Sequence, residues 1–143
     1  LAPGRTSVLV GTQATRRALE QALPGTDVLH LATYGVLNRR NPLFSHVELA
    51  AVPGRDGRLE VHDVYGLALD ARLVVLSACQ TASGAVRSGE GVLSLGRAFF
   101  EAGAHAVVGS RFGLSLAWVV VVGVIGICLF ASMSGRVAAV SWM

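Results

Sequence analysis

Short apolar runs closed by glycine or polar residues alternate along most of this chain with segments of helical rhythm. Ser7 to Val10 is such a run, ended by Gly11, and reads as a buried strand. Thr12 to Leu23 follows with good helix formers. Ala14, Ala18, Leu19, Ala22 and Leu23 recur there on one face before Pro24-Gly25 stops the pattern. Asp27 to Thr33 predicts a second strand, closed by Gly35, and Asn38 to Pro42 is polar and turn-like. His46 to Ala50 reads as another short strand, Pro53 to Gly57 as a turn and Val61 to Leu67 as a short helix. Arg72 to Ser77 (RLVVLS) is the clearest strand, an almost unbroken apolar run of the kind buried on both faces of a parallel sheet. A small-residue loop over Gln80 to Gly89 leads to a helix over Glu90 to Gly103, and Ala106 to Ser110 forms the last strand. Strands alternating with helices across short turns predict an α/β fold on a mainly parallel sheet with helices on its faces.

The pattern then changes. From Phe112 to Gly135 there is no Asp, Glu, Lys, Arg or His, and Leu114 to Met133 supplies the roughly 20 mainly apolar residues that a spanning helix needs. Arg111 and Arg136 flank this stretch and Trp118 lies just inside it. Charged residues make up 15% of the 143 and hydrophobic residues 52%, a balance that excludes a disordered chain. The net charge of +3 comes from 12 basic residues, all arginine and scattered singly or in pairs, which argues against a nucleic-acid-binding surface. Two cysteines, Cys79 and Cys128, lie in compositionally different regions and do not make a disulfide scaffold. No His or Cys stands at metal-ligand spacing from another, so neither a metal nor a cofactor is expected.

Chemistry in a parallel sheet gathers beyond the carboxyl ends of the strands. Two strands here end pointedly, one in LHLATYG at Tyr34-Gly35 and the other in VVLSACQT at Cys79. A cysteine there can attack a carbonyl if a base takes its proton and backbone amides hold the oxyanion. A cysteine at a strand end serves otherwise as a small buried hydrophobe. Glu90 suits either a pocket for a basic side chain or the solvated start of a helix, and the second fits the pattern better.

Taken together, DVLHLATYG, NPLFS, DVYGLAL through VVLSACQTASG, and RSGEGVLSLGRAFFEAGAHAVVGS resemble the CHAT domain family, caspase-like domains often joined to tetratricopeptide repeats. The resemblance runs from about Val8 to Arg111 and implies a three-layer, caspase-like α/β domain. It further implies a cysteine endopeptidase acting on protein or peptide substrates with a His/Cys dyad. Cys79 then takes the nucleophile position, with Gly35 and Cys79 offering the oxyanion amides. Where the family carries its general-base histidine, immediately before that glycine, this chain has Tyr34. A phenol, with an ordinary pKa of about 10, accepts a proton poorly at pH 7. His30 lies about 13 Å back along an extended strand, at roughly 3.3 Å per residue, and is expected as a hydrogen-bonded core histidine. The expectation is thus an impaired cysteine-peptidase-type module, or alternatively a non-catalytic module that binds a partner protein or tethers it at a membrane.

Family likeness stops at about Phe112. The chain divides by this reading into a partial caspase-like domain over 1–111, incomplete at both ends, an apolar candidate transmembrane helix over 112–135 and a short tail over 136–143. The apolar stretch reads as a tail anchor that leaves the sheet domain in the cytoplasm. A broken reading frame and a buried segment of a soluble fold are the other two readings.

Overall fold

The computed structural model describes residues 6–38, 40–77, 79–80, 90–109 and 136–141, without the side chains of 79–80 and 90–94. Among the described residues, nine strands and three α-helices follow one another: β1 (Thr6–Val10), α1 (Arg16–Ala22), β2 (Val28–Ala32), β3 (Tyr34–Val36), β4 (His46–Glu48), β5 (Arg58–Glu60), α2 (Val61–Val64), β6 (Leu73–Leu76), β7 (Cys79–Gln80), α3 (Glu90–Glu101), β8 (Val107–Gly109) and β9 (Val137–Ser141). Five of the strands form one parallel sheet in the order β1-β9-β2-β6-β8, and four form a second, smaller sheet in the order β5-β4-β3-β7. This is a mixed α/β fold on a mainly parallel sheet, as expected of a caspase-like domain.

The first helix starts later than its apolar rhythm suggests. Gly11, at φ +56°, opens a single 3-10 turn over Gly11–Gln13. The Ala14 carbonyl then accepts from the Ala50 amide at 2.8 Å, and only Thr15, whose side chain accepts from the Ala18 amide at 3.2 Å, caps α1. At the other end of the domain α3 closes on Gly103, at φ +112°. A Cβ there would stand 2.1 Å from the Leu69 carbonyl oxygen, so this position admits no side chain.

Helical residues Leu19, Leu23, Val61, Val64, Leu95, Ala98, Phe99 and Ala102 share one buried cluster with Leu29, Leu31, Val74, Leu76, Ala138 and Val140 of the sheet. Strand residues alternate between faces, so the described helices cover one face of the five-stranded sheet. Val28 and Val137, register partners, are buried but stand outside that cluster, on the opposite face with His30.

The largest departure from the expected organisation is at the end of the chain. In place of a short tail over 136–143, Val137–Ser141 forms β9 and pairs in parallel with both β1 and β2. Leu9 and Leu31 flank Val140 in register. The expected apolar helix over Leu114 to Met133 lies outside the described residues, as does most of the Gln80 to Gly89 loop. Among the described residues no helix is long and apolar enough to cross a membrane.

Candidate active site

Two neighbouring strands of the large sheet lead into the candidate residues. β2 and β6 pair in parallel from Val28 with Leu73 to Leu31 with Leu76. The Ser77 amide extends the ladder by one bond, donating to the Leu31 carbonyl at 2.9 Å. Both strands then leave the large sheet and pair again in the small one, where β3 and β7 make Tyr34 the register partner of Cys79 and Gly35 that of Gln80. The separation in sequence between partners is the same in both ladders, so the two strands keep one register through the junction. On its other side β3 pairs antiparallel with β4, Gly35 against Val47, which buries Gly35. Tyr34 is half-buried.

Three hydroxyl-bearing or imidazole side chains occupy the junction. Thr33, buried, donates its hydroxyl to the Glu48 carbonyl and so ties the turn between β2 and β3 to the end of β4. His30 Nε2 and Ser77 Oγ stand 2.9 Å apart, a buried hydrogen bond between β2 and β6. His30 is 3% exposed, and burial pushes its pKa below the ordinary imidazole range, so the ring is neutral at pH 7. Thr33 and Ser77 are not among the residues that sequence reasoning singles out. Their only signal is a small hydroxyl residue directly after an apolar strand run.

The other histidines are engaged elsewhere. His46 Nε2 lies 3.1 Å from Glu48 Oε1 and its Nδ1 3.1 Å from the Phe44 carbonyl. His105 lies 3.7 Å from Asp70. His62 stands between Glu60, at 3.2 Å, and Asp63, at 3.5 Å, in a group whose ligand-capable atoms fall within 4.8 Å of one another. Spacing of histidines and cysteines alone does not reveal this group, because two of its members are carboxylates. Each carboxylate is already engaged: Glu60 and Asp63 form the capping box of α2, and Asp63 also pairs with Arg16 at 2.9 Å. A cavity of about 450 Å³ opens beside them, lined by Arg16, Glu20, Leu23, His62, Asp63 and Leu67, and neither Tyr34 nor Gly35 is among the described residues that line it.

What the junction can do chemically follows from the pairing. Adjacent strands run about 4.8 Å apart, so the residue before Gly35 and the cysteine are immediate backbone neighbours. His30 is held inside the sheet by Ser77.

A family model described as the CHAT domain matches residues 1–117 of the chain. No curated protein matches.

Proposed function

The chain belongs to the CHAT domain family, a caspase-like family, and from that we propose that it is a cysteine-peptidase-type module for protein or peptide substrates whose proton-accepting position is blocked. Cys79 holds the nucleophile position and Tyr34 the position of the general base. The Gly35 and Cys79 amides are the oxyanion donors. The observation that supports this reading is the parallel pairing of β3 with β7, which makes Tyr34 and Cys79 register partners across two strand ends.

In the complete form of such a site an imidazole takes the thiol proton and the thiolate attacks the scissile carbonyl. Two amides hold the oxyanion, the imidazolium gives its proton to the departing amine, and water then cleaves the acyl-enzyme. A phenol at position 34 withholds the first step, because it offers a hydroxyl where an imidazole offers a basic nitrogen. General-base catalysis contributes about 10²–10⁴-fold, so a chain lacking it is slower by that order.

The test is Tyr34→His, assayed with a mixed library of fluorogenic peptides. Cleavage should appear or rise by about 10²-fold or more, and Cys79→Ala in that background should abolish it. A wild type that already cleaves, and that Tyr34→His does not improve, would overturn the assignment of position 34 as the base.

Tyr34 itself favours a second reading, in which the module is non-catalytic and serves to bind a partner protein. CHAT domains are associated with protein–protein interactions in general. If Tyr34→His gains no cleavage while Cys79→Ala leaves partner binding intact, the second reading stands.

A further inference from the structure

We propose that His30 and Ser77 are positioning residues, a buried pin that holds β2 and β6 in the register on which the pairing of Tyr34 with Cys79 depends. This rests on the reading of Tyr34 and Cys79 as the site. Three observations carry it.

First, among the described residues the β3–β7 ladder has two pairs, Tyr34 with Cys79 and Gly35 with Gln80. So short a pairing has little stability of its own. Its register must come from the elements that deliver the two strands to it, and the β2–β6 ladder shares that register.

Second, the β2–β6 ladder is apolar apart from one residue. Its pairs are Val28 with Leu73, Leu29 with Val74, His30 with Val75 and Leu31 with Leu76. Valine and leucine side chains of similar size tolerate sliding by two residues, which preserves the facing of every side chain. Burial alone therefore does not select one parallel register among those of equal parity. A buried polar pair narrows the choice, since a register that parts its members leaves both without a hydrogen bond.

Third, His30 and Ser77 are 3% and 6% exposed, and each is the other's partner at 2.9 Å. Sliding β6 by two residues in the direction that carries Ser77 away from His30 would separate them and leave both buried without a hydrogen bond. It would carry Cys79 past Tyr34 by the same step. The bond is diagonal, since His30 pairs in register with Val75, and Ser77 lies two residues further along β6 on the way to Cys79. The pin thus sits at the last point where the two strands still belong to the large sheet.

The experiment reads register directly and does not depend on catalysis. In a Cys128→Ser background, Tyr34→Cys places a second thiol at the register partner of Cys79. Backbones about 4.8 Å apart fall within the span of a disulfide. Oxidation by glutathione disulfide is followed by mass spectrometry of the cross-link between the introduced thiol and Cys79. His30→Leu and Ser77→Ala should each slow cross-linking about tenfold, the scale of one lost buried hydrogen bond. His30→Gln, which keeps a polar group at the position of Nε2, should stay within about twofold of the parent. Leu23→Ala, at the C-cap of α1, serves as a control of lowered stability and should leave the cross-linking rate near that of the parent. Equal rates in parent and His30→Leu, no cross-link in the parent, or equal slowing in the Leu23→Ala control would each overturn the proposal. Failure of Tyr34→His to cleave peptides, with the cross-linking pattern as expected, would instead count against the catalytic reading alone.

Discussion

Asp27 and Arg136, far apart in the chain, close on each other through two hydrogen bonds, with a third from Val28. Asp27 Oδ2 accepts from the Arg136 amide at 2.7 Å, and the Arg136 carbonyl accepts from the amides of Asp27 and Val28 at 2.9 and 3.1 Å. The contact sets β9 beside β2 from its first residue, Val137 against Val28. Gly25, at φ +70°, makes room for it, since a Cβ there would stand 2.9 Å from Arg136 Nη1.

Asp27→Ala should lower stability by about 1 kcal/mol in urea unfolding, because it removes the acceptor of the Arg136 amide.

Much of the large sheet is legible as apolar runs: β2, β6 and β8 each fall within a stretch that reads as a strand, and β1 starts one residue before the run over Ser7 to Val10. β3, β5 and β7 do not stand out, because strands of two or three residues are specified by their partners and not by their own periodicity. β9 is hidden for another reason. Its sequence VAAVS contains two alanines and a serine, weak strand formers, and it adjoins the charge-free stretch that masks any local pattern. Of the candidate site, Tyr34, Gly35 and Cys79 can be found from the sequence as strand ends. The hydroxyls of Thr33 and Ser77 acquire meaning only once Glu48 and His30 are brought to them.

His30 gives the fold a defined response to acid. Burial lowers its folded-state pKa below the ordinary value of about 6.5. Between those two values the unfolded chain binds more protons than the folded one, so stability rises with pH there. Stability contributed by this group is complete above about pH 6.5 and is lost as pH falls through the folded-state value. Urea midpoints should therefore decline from pH 7 toward pH 5. The decline should be shallower in His30→Gln, which carries no titrating group at that position. A slope unchanged by that substitution would assign the effect to other groups.

Gly103 tests the packing at the end of α3. Its amide donates to the Phe100 carbonyl at 3.1 Å and the next amide, of Ala104, to the Phe99 carbonyl at 2.9 Å, closing the helix. Leu69 donates its amide to the Ala102 carbonyl beside it, which brings the Leu69 backbone against the glycine. Gly103→Ala meets both an unfavourable φ and a backbone oxygen that cannot withdraw. A loss of about 2 kcal/mol or more is expected in chemical denaturation. A loss below about 0.5 kcal/mol, the usual range of a surface change, would show that the Leu69 backbone can yield to a methyl group.

On the proposed reading position 34 sets the chemistry, and thiol alkylation tests it. In a Cys128→Ser background, Cys79 is the one thiol left to react with iodoacetamide. An ordinary thiol has a pKa of about 8.5, so its alkylation climbs between about pH 7 and pH 9. The proposed site gives the wild type that profile, because a phenol neighbour supplies no positive charge to hold a thiolate. Tyr34→Phe should reproduce it, since the hydroxyl is not the proton acceptor. Tyr34→His places an imidazole at the register partner of Cys79, and an imidazolium beside a thiolate favours its ionised form. Its alkylation should then begin about one pH unit lower or more, with a thiolate already present near pH 7. A Tyr34→Phe profile that departs from the wild type would give the phenol a role of its own. A Tyr34→His profile that stays with the wild type would mean that the side chains at the two register partners do not meet.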